Sequence, residues 1–93
     1  MMGKIIYKYL IEVTDDQQIK LPKNYKLLSL QSQKDTLRLW ALVDADEQEM
    51  ENVDIKIIGT GRPINFDVNQ YEYITTIEMC DGNLVWHFFY RNL

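Results

Sequence analysis

Apolar and polar residues alternate with a period of two along most of the chain, the signature of strands that bury one face. Between residues 5 and 13, Ile5, Tyr7, Tyr9, Ile11 and Val13 fall on one side, with Lys8 and Glu12 on the other. A strand is predicted there, because successive side chains of extended backbone point to opposite faces. Ile19 and Leu21 alternate again before Pro22, whose missing N–H ends any ladder. Residues 25–33 and 36–43 read as two strands around Lys34-Asp35. A short loop at that dipeptide pairs Leu30 with Leu39 and Leu28 with Ala41 on an oily face. Gln31 with Arg38 and Ser29 with Trp40 then share a mixed face. An antiparallel pair lying over a core needs that contrast.

The next stretch breaks the alternation. Asp44, Asp46, Glu47, Glu49 and Glu51 crowd the segment 44–52, which reads as a solvated loop in preference to a helical turn. Val53, Ile55 and Ile57 resume the strand pattern until Gly59-Thr60-Gly61-Arg62-Pro63 stops it, since glycine and proline break extended runs. Residues 64–70 read as a polar connection. Residues 71–80 and 83–91 flank Asp81-Gly82, a dipeptide suited to a type I′ hairpin turn. A two-residue turn pairs Ile77 with Trp86, Met79 with Leu84, Thr75 with Phe88 and Tyr73 with Tyr90 on one side. The other side pairs Glu78 with Val85, Thr76 with His87, Ile74 with Phe89 and Glu72 with Arg91. Both sides of 84–90 are bulky, so that strand is expected to be central or covered on both faces. Six or seven strands with little helical period predict an all-β fold, a small antiparallel sandwich or barrel, over residues 1–93 as one domain.

Composition narrows the function classes. Ten Lys and Arg residues against fourteen acidic ones give a net charge of −4, and no basic stripe appears, so a duplex nucleic-acid partner is not expected. The longest apolar run, Leu39-Trp40-Ala41-Leu42-Val43, falls far short of the roughly 18 residues a membrane span needs. Met1-Met2-Gly3-Lys4 leads directly into the alternating segment, without the apolar stretch of a secretory signal. Cys80 is the only cysteine, which suits a reducing compartment. A cytoplasmic protein is expected.

Several segments resemble a family of short uncharacterised phage and prophage proteins. They are Ile5, Tyr7-Lys8-Tyr9, Gln18-Ile19-Lys20-Leu21-Pro22, Leu28-Ser29-Leu30-Gln31-Ser32-Gln33, and Leu39-Trp40-Ala41-Leu42-Val43-Asp44. Further along come Ile58-Gly59-Thr60-Gly61-Arg62-Pro63-Ile64, Tyr73-Ile74 and Gly82-Asn83-Leu84-Val85-Trp86-His87-Phe88. The resemblance spans nearly the whole chain in order, and implies a phage origin, action in the host cytoplasm and a β-rich domain. It implies no activity. The family pattern usually has histidine where this chain has Arg62.

Among the residues themselves, Gly59-Thr60-Gly61-Arg62-Pro63 is the most suggestive run. Backbone N–H groups beside glycines, the Thr60 hydroxyl and the Arg62 guanidinium are donors suited to phosphate. The run lacks the spacing of a Walker A loop or a dinucleotide fingerprint, and a plain turn at a strand end is the competing reading. His87, the only histidine, is expected across from Thr76 and diagonal to Glu78, which could orient its ring. One histidine without a patterned nucleophile points to ligand contact or structure rather than catalysis. Cys80 and His87 make no zinc spacing, and the acidic run lacks the order of a calcium loop, so no metal and no cofactor is expected. Trp86 and Tyr73 are expected together on the oily hairpin face as core. Trp40, beside Arg38 on the mixed face, suits a pocket or a subunit interface.

The leading expectation is a non-enzymatic phage protein that captures a nucleotide-like small molecule, an anti-defence sponge for a host immune signal. Its ligand-binding residues would be Gly59, Thr60, Gly61, Arg62, Trp40, Arg38 and His87. The alternative is an interaction protein that docks on a host protein through the acidic surface of residues 44–51. Bulky residues on both faces of 84–90, with Trp40 and Leu42, also predict a homo-oligomer.

Overall fold

The computed structural model describes residues 3–93. Its strands are β1 (Lys4–Ile11), β2 (Asp16–Pro22), β3 (Lys26–Gln33), β4 (Thr36–Asp44), β5 (Met50–Gly59), β6 (Glu72–Met79) and β7 (Leu84–Asn92). A 3-10 turn, Val68–Gln70, precedes β6. Asp67 caps that turn by accepting from the Asn69 N–H at 3.1 Å. The strands form two antiparallel sheets, ordered β1-β4-β3 and β2-β5-β7-β6. The chain changes sheet at residues 12–15, 23–25 and 45–49.

The sheets pack face to face as a sandwich. Leu37 and Leu39 of β4 and Ile11 and Leu30 beside them meet Leu21, Val53, Ile55, Ile57, Ile77 and Phe88 of the other sheet. Phe88, Leu39, Ile55 and Val53 have no exposed surface, and burying each such side chain contributes about 1.5–3 kcal/mol. The barrel alternative is not realised: β3 bonds only to β4 and β6 only to β7, although β3 and β6 lie close enough to line a common cleft. The molecule measures 46 × 30 × 15 Å between Cα atoms. Ala41 and Val43 are buried outside the shared core, and Ile5 and Tyr7 beside them stay exposed.

Both hairpins follow their expected register near the turn and depart from it further out. Leu30 faces Leu39, Ser29 faces Trp40 and Gln31 faces Arg38, but a bulge at Leu28 puts Leu27, rather than Leu28, opposite Ala41. In the second hairpin, Met79 to Thr75 pair as expected with Leu84 to Phe88. A bulge at Ile74 then places Tyr73 opposite Phe89 and Glu72 opposite Tyr90, in place of the expected pairs Tyr73–Tyr90, Ile74–Phe89 and Glu72–Arg91. An inserted residue turns every side chain beyond it to the other face. Tyr73 therefore leaves the face of Trp86, contrary to the expectation that both are core.

Element ends also shift. β1 stops at Ile11, so Val13 lies beyond the strand. β4 runs on to Asp44 and β5 already starts at Met50, which leaves a connecting loop of residues 45–49, shorter than the expected 44–52. Part of the second face of β7 is covered by the chain itself: Phe66 packs on Phe89 at 5.8 Å and on Tyr71 at 4.9 Å between ring centroids. The Arg91 guanidinium lies 5.1 Å from the Tyr71 ring centroid and donates to Gln70 Oε1 at 2.6 Å.

Candidate functional site

The outer face of the four-stranded sheet, where β5 ends, carries the candidate site. The β5 strand stops because residues 59–62 fold into a β-turn, the Arg62 N–H donating to the Gly59 carbonyl at 3.1 Å. Gly61 has φ +83° there, a conformation that costs glycine little and other residues much. The Thr60 N–H donates to the Val85 carbonyl at 3.2 Å, which pins the turn to β7. Gly59 sits under Trp86 and Arg62, and a Cβ at this position would lie 3.4 Å from both side chains. With the Thr60 and Arg62 amides consumed in this way, the turn offers no run of free N–H groups. Its donors for an anion are the Thr60 hydroxyl and the Arg62 guanidinium.

Pinning the turn brings Thr60 to His87. Thr60 Oγ1 lies 2.6 Å from His87 Nε2, and Thr76 Oγ1 lies 2.9 Å from His87 Nδ1. Thr76 Oγ1 continues to the Tyr73 hydroxyl at 2.6 Å. This relay has two directions, because hydroxyls both donate and accept and the neutral ring has two tautomers. With the proton on Nε2, His87 donates to Thr60 and Tyr73 donates inward, leaving the Thr60 hydrogen to point outward. With the proton on Nδ1 the chain reverses, and the Tyr73 hydroxyl donates outward instead. Glu78 has no place in this chain; both ring nitrogens are taken by threonines.

Two depressions flank Arg62. One, of about 240 Å³, is lined by Thr60, His87, Tyr73, Phe89, Ile58 and Ile64. The other, of about 390 Å³, contains Asp15, Asp16, Lys56, Trp86 and Phe66. Lys56 is held between Asp16 and Asp54 at 3.8 and 3.7 Å, whereas Arg62 enters no ion pair among the described residues. Beside Lys56, Asp54 is buried and accepts from the Tyr71 hydroxyl at 2.5 Å. Burial first, then Asp54, pushes the Tyr71 hydroxyl above its ordinary pKa.

Of the residues expected to form the site, the fold gathers Gly59, Thr60, Gly61, Arg62 and His87 at one place. Arg38 and Trp40 lie elsewhere, on the outward face of β4 in the other sheet, where Trp40 sits between Lys8 and Ser29. Sequence reasoning missed Tyr73, Ile58 and Phe89. Alternation in β7 puts Phe89 on the His87 face, the register of β5 with β7 adds Ile58, and Tyr73 joins them only through the bulge. The acidic run is partly spent on its own loop: Asp44 accepts from the Asp46 N–H, Glu47 from the Glu49 N–H, and Glu49 pairs with Lys23 at 3.2 Å. Cys80 is free and exposed. No three His, Cys, Asp or Glu side chains gather as metal ligands among the described residues. No helix among them is long and apolar enough to cross a membrane.

Fold and site together describe a small two-sheet β-sandwich with an arginine-flanked polar relay on one outer face. Residues 2–93 match a family described as a domain of unknown function, DUF7352, and the chain belongs to that family. No curated protein and no solved structure matches it.

Proposed function

We propose that this chain captures a small anionic ligand with a polar ring system, a nucleotide-like molecule, and releases it unaltered. The observation that carries the reading is the juxtaposition of an unpaired Arg62 with the Thr60–His87–Thr76–Tyr73 relay and an aromatic wall. Arg62 supplies charge-assisted donors for phosphate. The reversible relay matches the mixed donors and acceptors of a base or ribose, and Phe89 and Tyr73 offer ring surface for stacking. Among the described residues both ring nitrogens of His87 face threonine hydroxyls and no carboxylate orients the ring as a base, which favours holding a ligand over transforming it. In a phage, the origin implied by the sequence resemblance, such a protein would sequester a nucleotide-derived immune signal in the host cytoplasm.

Equilibrium dialysis against cyclic and ADP-ribose-derived nucleotides tests this. Free ligand should fall, and heat denaturation should return it chemically intact. A ligand recovered in altered form would make the site catalytic, and no depletion across the panel would end the reading. Arg62→Ala should weaken capture about ten- to a hundredfold, because a charge-assisted hydrogen bond contributes about 1.5–3 kcal/mol. The melting temperature should barely move, since exposed substitutions cost under about 0.5 kcal/mol. A large loss of stability with binding intact would show that Arg62 belongs to the turn alone.

A further inference from the structure

Each sheet has two edges, and three of the four are blunted. The β3 edge carries the Leu28 bulge and the β6 edge the Ile74 bulge. The β2 edge ends in Pro22 and begins with Asp16. Bulges, prolines and charges are the devices that keep sheet edges from pairing with other chains. β1 has none of the first two: its register with β4 runs unbroken from Lys4 to Ile11, and it bonds to β4 alone. It is also apolar on both faces, with Ile6 56% and Leu10 59% exposed on one and Tyr7 46% and Ile5 36% on the other.

We propose that β1 pairs antiparallel with β1 of a second copy, across a two-fold axis at Tyr7, to make a continuous six-stranded sheet. Such an axis is perpendicular to the sheet and matches like faces, so Tyr7 meets Tyr7, Ile5 meets Tyr9, Ile6 meets Lys8 and Lys4 meets Leu10. The other face-matching register of equal length sets Lys8 directly against Lys8, and the register centred on Ile6 sets Lys4 against Lys8. Like charges directly opposed destabilise a sheet pair. The Tyr7-centred register keeps each lysine stem against an apolar side chain of the partner with its ammonium in water. The pairing sets Ile5, Ile6, Tyr7 and Leu10 of each copy, all exposed in the single chain, against side chains of the partner on both faces of the sheet, and it gives the outward backbone groups of the two edges hydrogen-bond partners. The contact is isologous and closes at two copies.

The test uses the whole chain with Cys80→Ser as background. Tyr7→Cys should oxidise to a covalent dimer, because opposed residues lie about 4.5–5.5 Å apart at Cα, within disulfide reach. Ile5→Cys, on the same face, should not, since its two copies would stand roughly 13 Å apart along the strands. Light scattering at tens of micromolar should give the mass of a dimer for the unaltered chain and of a monomer for Ile6→Lys, with unchanged circular dichroism for both. A monomeric unaltered chain, a dimer that survives Ile6→Lys, or cross-linking through Ile5→Cys in place of Tyr7→Cys would each overturn the proposal.

Discussion

Asp54 shows at the scale of one residue how the outer face is held. The residue is 7% exposed, and its carboxylate accepts from Tyr71 and has Lys56 at 3.7 Å. A buried acceptor matters most when it is removed, because its donors are then left unsatisfied. Asp54→Ala should lower stability to urea by about 1–3 kcal/mol, whereas Asp54→Asn, which keeps an acceptor for the Tyr71 hydroxyl, should lose less. Equal losses from the two variants would show that the charge beside Lys56, and not the acceptor, holds the segment down. Residues 63–71 reach the sheet through this contact and the Phe66 ring, so Asp54 also steadies the wall of the candidate site.

At the scale of elements, the turns set the geometry and carry a conformational cost. Lys34 and Asp35 have φ of 53° and 60°, and Cys80, Asp81 and Gly82 have 54°, 57° and 85°. Left-handed backbone costs residues with a Cβ roughly 1–2 kcal/mol, least for Asp and Asn. Asp35→Gly should therefore raise the thermal midpoint modestly, a gain of up to about 1 kcal/mol after the extra unfolded-state freedom of glycine is deducted. Gly82→Ala should lower it by a comparable amount, though an added Cβ would meet no atom within 4 Å. If Gly82→Ala left the midpoint unchanged, backbone strain would not be what glycine relieves there. Beyond the turns, the bulges at Leu28 and Ile74 decide which face each outer residue joins, and Ile74 delivers Tyr73 to the relay.

For the whole molecule, the packed sheets leave an alkaline signature. Burial raises the hydroxyls of Tyr9, Tyr71 and Tyr90, and pushes Tyr25 up to about 12, with Tyr90 nearby adding to the effect. Unfolded tyrosines lose their protons near pH 10. Above that pH the unfolded chain binds fewer protons than the folded one, so stability falls as pH rises from about 10 toward 12 and the contribution is complete below 10. Urea midpoints at about pH 8 and pH 11 check this; a midpoint unchanged at the higher value would mean that these hydroxyls titrate alike in both states.

The residue pattern by itself determined that the chain is built of antiparallel strands, and it fixed local pairing close to each turn. Leu30 with Leu39 and Thr76 with His87 were legible because a short turn propagates its register outward one residue at a time. The sequence also placed the Gly59-Thr60-Gly61-Arg62 run at a strand end. That Thr60 bonds His87 was decided elsewhere, by the pairing of β5 with β7, two strands separated in the chain by residues 60–83. The bulges, the seating of Phe66 on Phe89, and the separation of Arg38 and Trp40 from the site likewise came only with tertiary structure. Alternation records which residues share a face within a strand. It carries no information on which strands become neighbours, and contacts between distant segments form only when the sheets assemble around a common core.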